Sequence, residues 1–364
     1  MQGKKEYAKA QLVGLKTLPE ESGLWGVLLP RPGDKTVAHE PLASDELELL
    51  NTKVLRFASR DVDGMNRGYG VTLGTFAFLL LVLGAAPSFF RLGDQELDLL
   101  VHLGLALSLI SAIASVFATW AYRSARAPIA DPIVLARKLR RFYLWTGKKT
   151  GWQSWSYDDL VPFTQMNTIV GTAGASTVFS LRLALIDPKT RAFMQVISPA
   201  PLQRTPEQCG QIWEFIRRYM DQAPESLPPV RLQPDLNDPA ADLARFDRRF
   251  GGFITPDHRI APGILAPLYV GFWSVVDYWQ MRAMAWIQRT APRPTAPPEL
   301  AEALQCTGPN PYRFSPLTAD EALAWKGQLP RLRWRWRLVQ LFATVLWGGL
   351  FLFMAWGFLS GAMK

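Results

Sequence analysis

Three stretches without a charged side chain set the limits on what this chain can fold into: Gly68 to Phe90, Leu99 to Tyr122 and Leu338 to Met363. Each is at least as long as the roughly 20 apolar residues a helix needs to cross a bilayer. The overall hydrophobic share of 49% is ordinary, so the information lies in its distribution. A chain of 364 residues can hold two domains, each with its own core. These features predict an α+β integral membrane protein with an N-terminal transmembrane hairpin (68–90 and 99–122) and a C-terminal transmembrane helix (338–363). They exclude an ordinary soluble globule and a disordered chain.

The charge supports that reading. Lys and Arg number 40 against 31 Asp and Glu, a net +9. In a soluble protein this would suggest nucleic acid. Here the excess gathers beside the apolar stretches, at Arg123 and Arg126, at Arg137, Lys138, Arg140 and Arg141, and at Arg331, Arg333, Arg335 and Arg337. Basic flanks are what retention on the cytoplasmic side produces, so lipid is the expected partner and nucleic acid is not. The turn from Pro87 to Asp98 carries Asp94, Glu96 and Asp98 against Arg91 alone, which places it outside and both the N-terminus and the middle region inside. Trp334 and Trp336 alternate with the arginines of the strip Arg331, Arg333, Arg335 and Arg337, which is read as an interfacial anchor. The opening MQGKKEYAKAQ has no apolar run after it, so the first span is expected to be its own signal. Ile260 to Ile287 is apolar but contains Asp277 and Arg282, and a charge near the bilayer centre costs at least ~2.5 kcal/mol. It is read as a helix lying in the interface or packed on the spans, with an intramembrane functional carboxylate at Asp277 as the alternative.

The middle, 131–223, changes to short strands. Arg141 to Trp145, Trp152 to Tyr157, Phe179 to Leu185 and Phe193 to Ile197 have strand character, with turns at Gly147 to Gly151 and Asp187 to Arg191. A helix follows, capped by Thr205, with Pro206 at its first position and Gln208 closing a capping box. Cys209, Ile212, Trp213, Ile216 and Met220 form its apolar stripe. Strands followed by one amphipathic helix is the order of a pleckstrin-homology-like domain. Residues 1–67 are expected to hold a helix starting near Ser44, with Leu47, Leu50, Val54 and Phe57 on one side. Residues 224–259 and 288–337 read as linkers, with a short glycine-ended helix at Phe246 to Gly252.

A search for chemistry leaves bland readings. His39, His102 and His258 are far apart, and no metalloprotease motif occurs. Cys209 and Cys306 have no metal or redox spacing; a reducing compartment fits, and a disulfide between them stays open. Asp158-Asp159 reads as a solvated turn, Asp257-His258 as a surface loop pair and His102 as an interfacial residue. Gly171 to Ser176 lacks the lysine of a phosphate loop and reads as a hairpin connection. Gly70 and Gly74 make a G-x-x-x-G pair on one helix of the hairpin only. No enzyme activity, cofactor or metal is expected.

Gln211 to Glu225, with Arg137 to Leu144 and Phe246 to Gly251, resembles motifs of an uncharacterised proteobacterial membrane-protein family of unknown function. Members are often met near type VI secretion genes, which implies an inner-membrane immunity or accessory protein for a secreted toxin. The family carries no catalytic residues to transfer. The expected function is therefore non-enzymatic binding of a protein partner by the cytoplasmic domain, with a lipid-sensing or membrane-organising module as the alternative. Trp152, Trp155 and Tyr157 are the candidate aromatic contacts, with core packing as the competing reading. Arg137, Lys138, Arg140, Arg141, Lys148 and Lys149 are the candidate basic contacts for partner or headgroup.

Overall fold

The computed structural model describes residues 26–35, 39–43, 47–57, 62–90, 97–129, 133–171, 174–186, 193–200, 202–234, 237–305 and 308–362. The strands are β1 (Gly26–Leu28), β2 (Leu47–Leu50), β3 (Val54–Phe57), β4 (Val134–Ala136), β5 (Arg141–Trp145), β6 (Trp152–Ser156), β7 (Leu160–Gly171), β8 (Gly174–Ile186) and β9 (Phe193–Ile197). The α-helices are α1 (Val62–Phe90), α2 (Leu97–Arg126), α3 (Pro206–Asp221), α4 (Asp242–Arg248), α5 (Leu265–Thr290), α6 (Pro298–Leu304), α7 (Ala319–Trp325) and α8 (Pro330–Ala362). They fall into two compact units, each drawn from three separate segments. The first takes the chain up to Arg60, Ala130–Gln233 and Pro294–Pro316; the second takes Asp61–Ile129, Pro234–Arg293 and the chain from Leu317.

The first unit holds two antiparallel sheets, β1-β7-β8-β9 and β2-β3-β4-β5-β6. The β7–β8 hairpin is in register from Leu160 opposite Leu185 to Gly171 opposite Gly174. The glycine-bearing stretch is thus a hairpin connection whose tip, 172–173, lies outside the described residues, as does the turn at Asp187 to Arg191. Along β8, Leu181 and Leu183 enter the main core, while Ala184 joins Val161 and Phe163 in a smaller cluster on the other face. α3 closes the core with Cys209, Ile212, Trp213, Phe215, Ile216, Tyr219 and Met220 buried. Its start is built as the sequence predicts: Gln208 N–H donates to Thr205 Oγ1 at 3.4 Å and Thr205 N–H to Gln208 Oε1 at 3.3 Å. Gly210 is required there, since a Cβ would lie 2.2 Å from the His39 ring.

Two expectations for this unit are corrected. Residues 47–57 form the β2–β3 hairpin, not a helix. Leu47, Leu50, Val54 and Phe57 fit helical spacing, but Asn51 Oδ1 accepts from the N–H groups of Lys53 and Val54, both at 2.8 Å, and turns the chain back. The pleckstrin-homology-like domain of 131–223 does not form from that stretch alone. β1, β2 and β3 complete the sheets from before the first apolar stretch, and Tyr312 packs beside Tyr219 from far downstream.

The second unit is helical. α1 and α2 pack through Gly70 and Gly74: a Cβ at the first would meet Ser124, and at the second Ala121 and the Phe117 carbonyl. Arg67 fastens the pair by donating to the carbonyls of Ser124 (2.9 Å) and Ala127 (2.5 Å). Gly68 lies against the Gln280 carbonyl of α5. α5 buries Ala266, Val270, Ser274, Asp277, Met281 and Ala285 at three- and four-residue steps, and α8 meets it with Trp336, Val339 and Ala343. Trp347 Nε1 donates to the Val276 carbonyl at 3.1 Å, and the Phe76 ring of α1 lies edge-on to Trp347 and Phe351.

The expected transmembrane hairpin, and with it the multi-pass membrane fold, is overturned. Among the described residues, Pro330–Gly357 is the one helical stretch long and apolar enough to cross a membrane. The described side chains of α1, Arg67–Val82, make a shorter apolar stretch. Its small residues serve helix packing inside the unit.

Candidate functional site

The second unit concentrates charge where a helical assembly would ordinarily bury alkyl groups. Asp242 and Asp247 on α4 and Asp277 on α5 are each no more than 2% exposed. Asp242 takes Arg289 Nη1 at 2.9 and 3.0 Å, Arg245 Nη2, and Arg282 Nη1 at 3.5 Å. Asp247 takes His258 Nδ1 at 2.8 Å, Trp336 Nε1 at 2.9 Å and Arg335. Asp277 takes Arg249 Nη2 at 2.8 Å and the Tyr69 hydroxyl. Burial, reinforced by the hydrogen bond to Asp277, pushes the Tyr69 phenol up to about 12. Burying a carboxylate costs several kcal/mol unless it is surrounded by donors, and these three are.

Such saturated carboxylates lock helices together. Asp247 takes Arg335 and Trp336 at Oδ1 and His258 at Oδ2, so its carboxylate ties three segments of the unit together. His258 is backbone-constrained as well, at φ 61°, with its N–H donating to the Thr255 carbonyl at 2.9 Å. The sequence reading of His258 as a surface loop residue is therefore corrected: it is buried, and Asp247 holds it there. Among the described residues, no three His, Cys, Asp or Glu side chains group as metal ligands would. Cys209 is a free, buried thiol, pushed up to about 12 by burial; Cys306 and the His102 side chain lie outside the described residues.

The sequence-predicted contact residues are dispersed. Trp155 and Tyr157 are core residues of the first unit, Tyr157 donating to Asp221 Oδ2 at 2.8 Å, while Trp152 is half-buried and edge-on to Trp145. They make no aromatic surface. Arg140, at φ 50°, lies over the Tyr157 ring and joins Asp158 (2.5 Å) to Asp221 (2.9 Å). Its hydrogen bond holds the Asp158 carboxyl below its ordinary range. Asp158 and Asp159 are exposed, as a solvated turn should be. Arg137 binds the Tyr312 hydroxyl at 3.0 Å and the Gln222 carbonyl. Lys138, Arg141, Lys148 and Lys149 remain exposed, but Lys138 lies in the β4–β5 turn and the other lysines in the β5–β6 turn, at opposite ends of β5.

The basic tryptophan strip divides by helical face. Trp336 is buried between Phe246, Phe250 and Tyr278, Arg335 pairs with Asp247, and Arg331 pairs with Asp320 at 2.6 Å. Arg333, Trp334 and Arg337 face outward, with Arg337 over the Trp334 ring. The strip's inward half thus serves cohesion.

Among the described residues, the fold and its ion pairs define an α+β protein with two antiparallel sheets, a charge-locked helical unit and one helix apolar enough to span a membrane. The family model of DUF6708, a family of unknown function, matches residues 110–301, and the chain belongs to that family. The match takes in Asp242, Asp247, His258 and Asp277 and stops before α8. Searches of curated proteins and of solved structures gave no match.

Proposed function

We propose that the protein is a non-enzymatic binding protein held in the bacterial inner membrane by α8, with the two-sheet unit engaging a protein partner. The observation that carries this reading is the surface of α8. Leu341, Phe342, Val345, Leu352, Phe353 and Trp356 are all exposed on one continuous helix, directly after the arginines of its first turns. A run of apolar surface on that scale marks a membrane or partner contact, and basic residues before an apolar span favour the cytoplasmic side for the rest of the chain. The exposed methionines Met166 on β7 and Met194 on β9 take over from the buried aromatics as candidate partner contacts.

Within this class the partner is a type VI secretion toxin, and the protein is its immunity or accessory factor. The support is the resemblance carried by Arg137 to Leu144, Gln211 to Glu225 and Phe246 to Gly251. The test is a competition in which a deletion strain meets kin with active type VI secretion. Killing reversed by restoring the gene supports immunity; unchanged survival with secretion confirmed active rejects it. Alkaline extraction of membranes tests the anchor separately, and release of the full chain would reject it.

A further inference from the structure

Val275, Arg282 and Arg289 recur along α5 at seven-residue steps and so share one face of that helix. The N-terminal part of this face, with Phe272, Val275 and Val276, looks across an open and wholly apolar groove at Phe342, Val345 and Leu346 of α8. Its C-terminal part carries the arginines that converge on Asp242. Three guanidinium groups (Arg245, Arg282 and Arg289) meet one carboxylate there. Arg282 and Arg289 each turn only Nη1 to Asp242, and their side chains are 45% and 25% exposed. An apolar trough therefore leads along one helix face to two part-exposed arginines that share one carboxylate. From Val275 to Arg282 the helix rises about 10 Å, the scale that separates a phosphate from the first part of an acyl chain.

We infer that the α5–α8 groove and the Arg282–Arg289 pair form one binding site for an anionic phospholipid, with an acyl chain in the groove and the phosphate on the arginines. Two part-exposed guanidinium groups sharing one carboxylate favour an anionic headgroup over a zwitterionic one, as basic pockets between membrane helices do. Guanidinium forks suit phosphate oxygens better than ammonium groups would. The inference rests on α8 lying in a membrane, and it concerns residues outside the partner-binding unit.

The test uses the full chain purified in neutral detergent and titrated with acyl-brominated phosphatidylglycerol, which quenches tryptophans close to the chain; Trp347, bonded to Val276, reports on the groove. Saturable quenching is expected, with weaker binding of brominated phosphatidylcholine and no competition from millimolar inorganic phosphate. Arg282→Gln should weaken binding about fivefold, the effect of roughly 1 kcal/mol per basic residue. Gly271→Leu should abolish the saturable part. A Cβ there meets nothing within 4 Å, so the side chain fills the groove without a clash, and leucine is the better helix former. An unchanged melting temperature in both variants separates loss of binding from loss of fold.

Equal affinity for the two lipids, competition by inorganic phosphate, or quenching indifferent to Gly271→Leu would each overturn the inference. Alkaline extraction of the same proteins separates the two levels. Release of the wild type would reject the membrane anchor itself, whereas retention without a saturable lipid site rejects this inference alone.

Discussion

The first unit buries aromatic rings, and the second buries charge. Around α3 the core is made of Trp213, Phe215, Tyr219, Phe142 and Tyr157, with Glu214 and Arg217 as its buried ion pair. Around α4 and α5 the buried set includes Asp242, Asp247, Asp277 and His258, and their partners come from α1, α4 and its C-terminal end, α5, α8 and the loop that carries His258. Apolar packing tolerates many arrangements of similar volume, whereas a buried carboxylate accepts only the arrangement that brings its donors. The difference suggests that the sheets set the stability of their unit, while the ion pairs set which way the helices dock.

The largest test of that contrast is Asp247→Ala. It leaves His258 buried and Arg335 part-buried without their carboxylate and should cost about 3–5 kcal/mol in chemical denaturation of the detergent-solubilised protein. Replacing both Asp247 and Arg335 by leucine should recover only the share due to Arg335, because His258 and Trp336 still lose their acceptor; full recovery would show that those two bonds contribute nothing. In the first unit Trp213→Ala should cost a comparable 3–5 kcal/mol, roughly, but through a cavity and the lost bond from Nε1 to the Pro30 carbonyl. Thr205→Ala removes a cap and should cost about 1 kcal/mol, read as a small shift of the denaturation midpoint.

The smallest effect belongs to Arg140–Asp158, an exposed pair worth at most about 1 kcal/mol. The hydrogen bond from Arg140 lowers the Asp158 carboxyl from its ordinary 3.8, so its contribution is complete above that value and fades as pH falls through the lowered one. Asp158→Asn should therefore cost up to about 1 kcal/mol at neutral pH, a loss that shrinks as pH falls through the lowered value and so flattens the acid limb slightly. A loss that persists undiminished at lower pH would contradict the assignment.

What could be read from the sequence was what neighbours in the chain decide. Thr205, Pro206 and Gln208 specify the start of α3 among themselves, and the alternation through Leu181 and Leu183 fixes the buried face of β8. Residues 47–57 went astray because a helix and a tight hairpin can bury the same four apolar positions; Asn51 carried the deciding signal, a side chain able to bond its own following N–H groups. The membrane hairpin went astray for a related reason. Gly70 and Gly74 mark close contact between α1 and α2, and small apolar residues that pack one helix on another are the same residue types that suit lipid. The carboxylate cluster was illegible altogether. Asp247 meets Arg335 from 88 residues away and Asp277 meets Tyr69 from 208, and no local pattern announces such partners.

The three-segment origin of each unit has a consequence for biogenesis. Strand β1 must wait for β7, more than a hundred residues later, and Val230 must wait for its bridge to Phe314. Trp336 and Arg335 then reach Asp247 only once the chain has been made through the start of α8, almost ninety residues later. Neither unit can therefore finish before the other is well advanced. Contacts of such long sequence separation fold slowly and leave strand edges open in the meantime. A truncated or stalled nascent chain would hold two half-built cores instead of one finished domain and one missing one, and would be a ready target for chaperones and proteases.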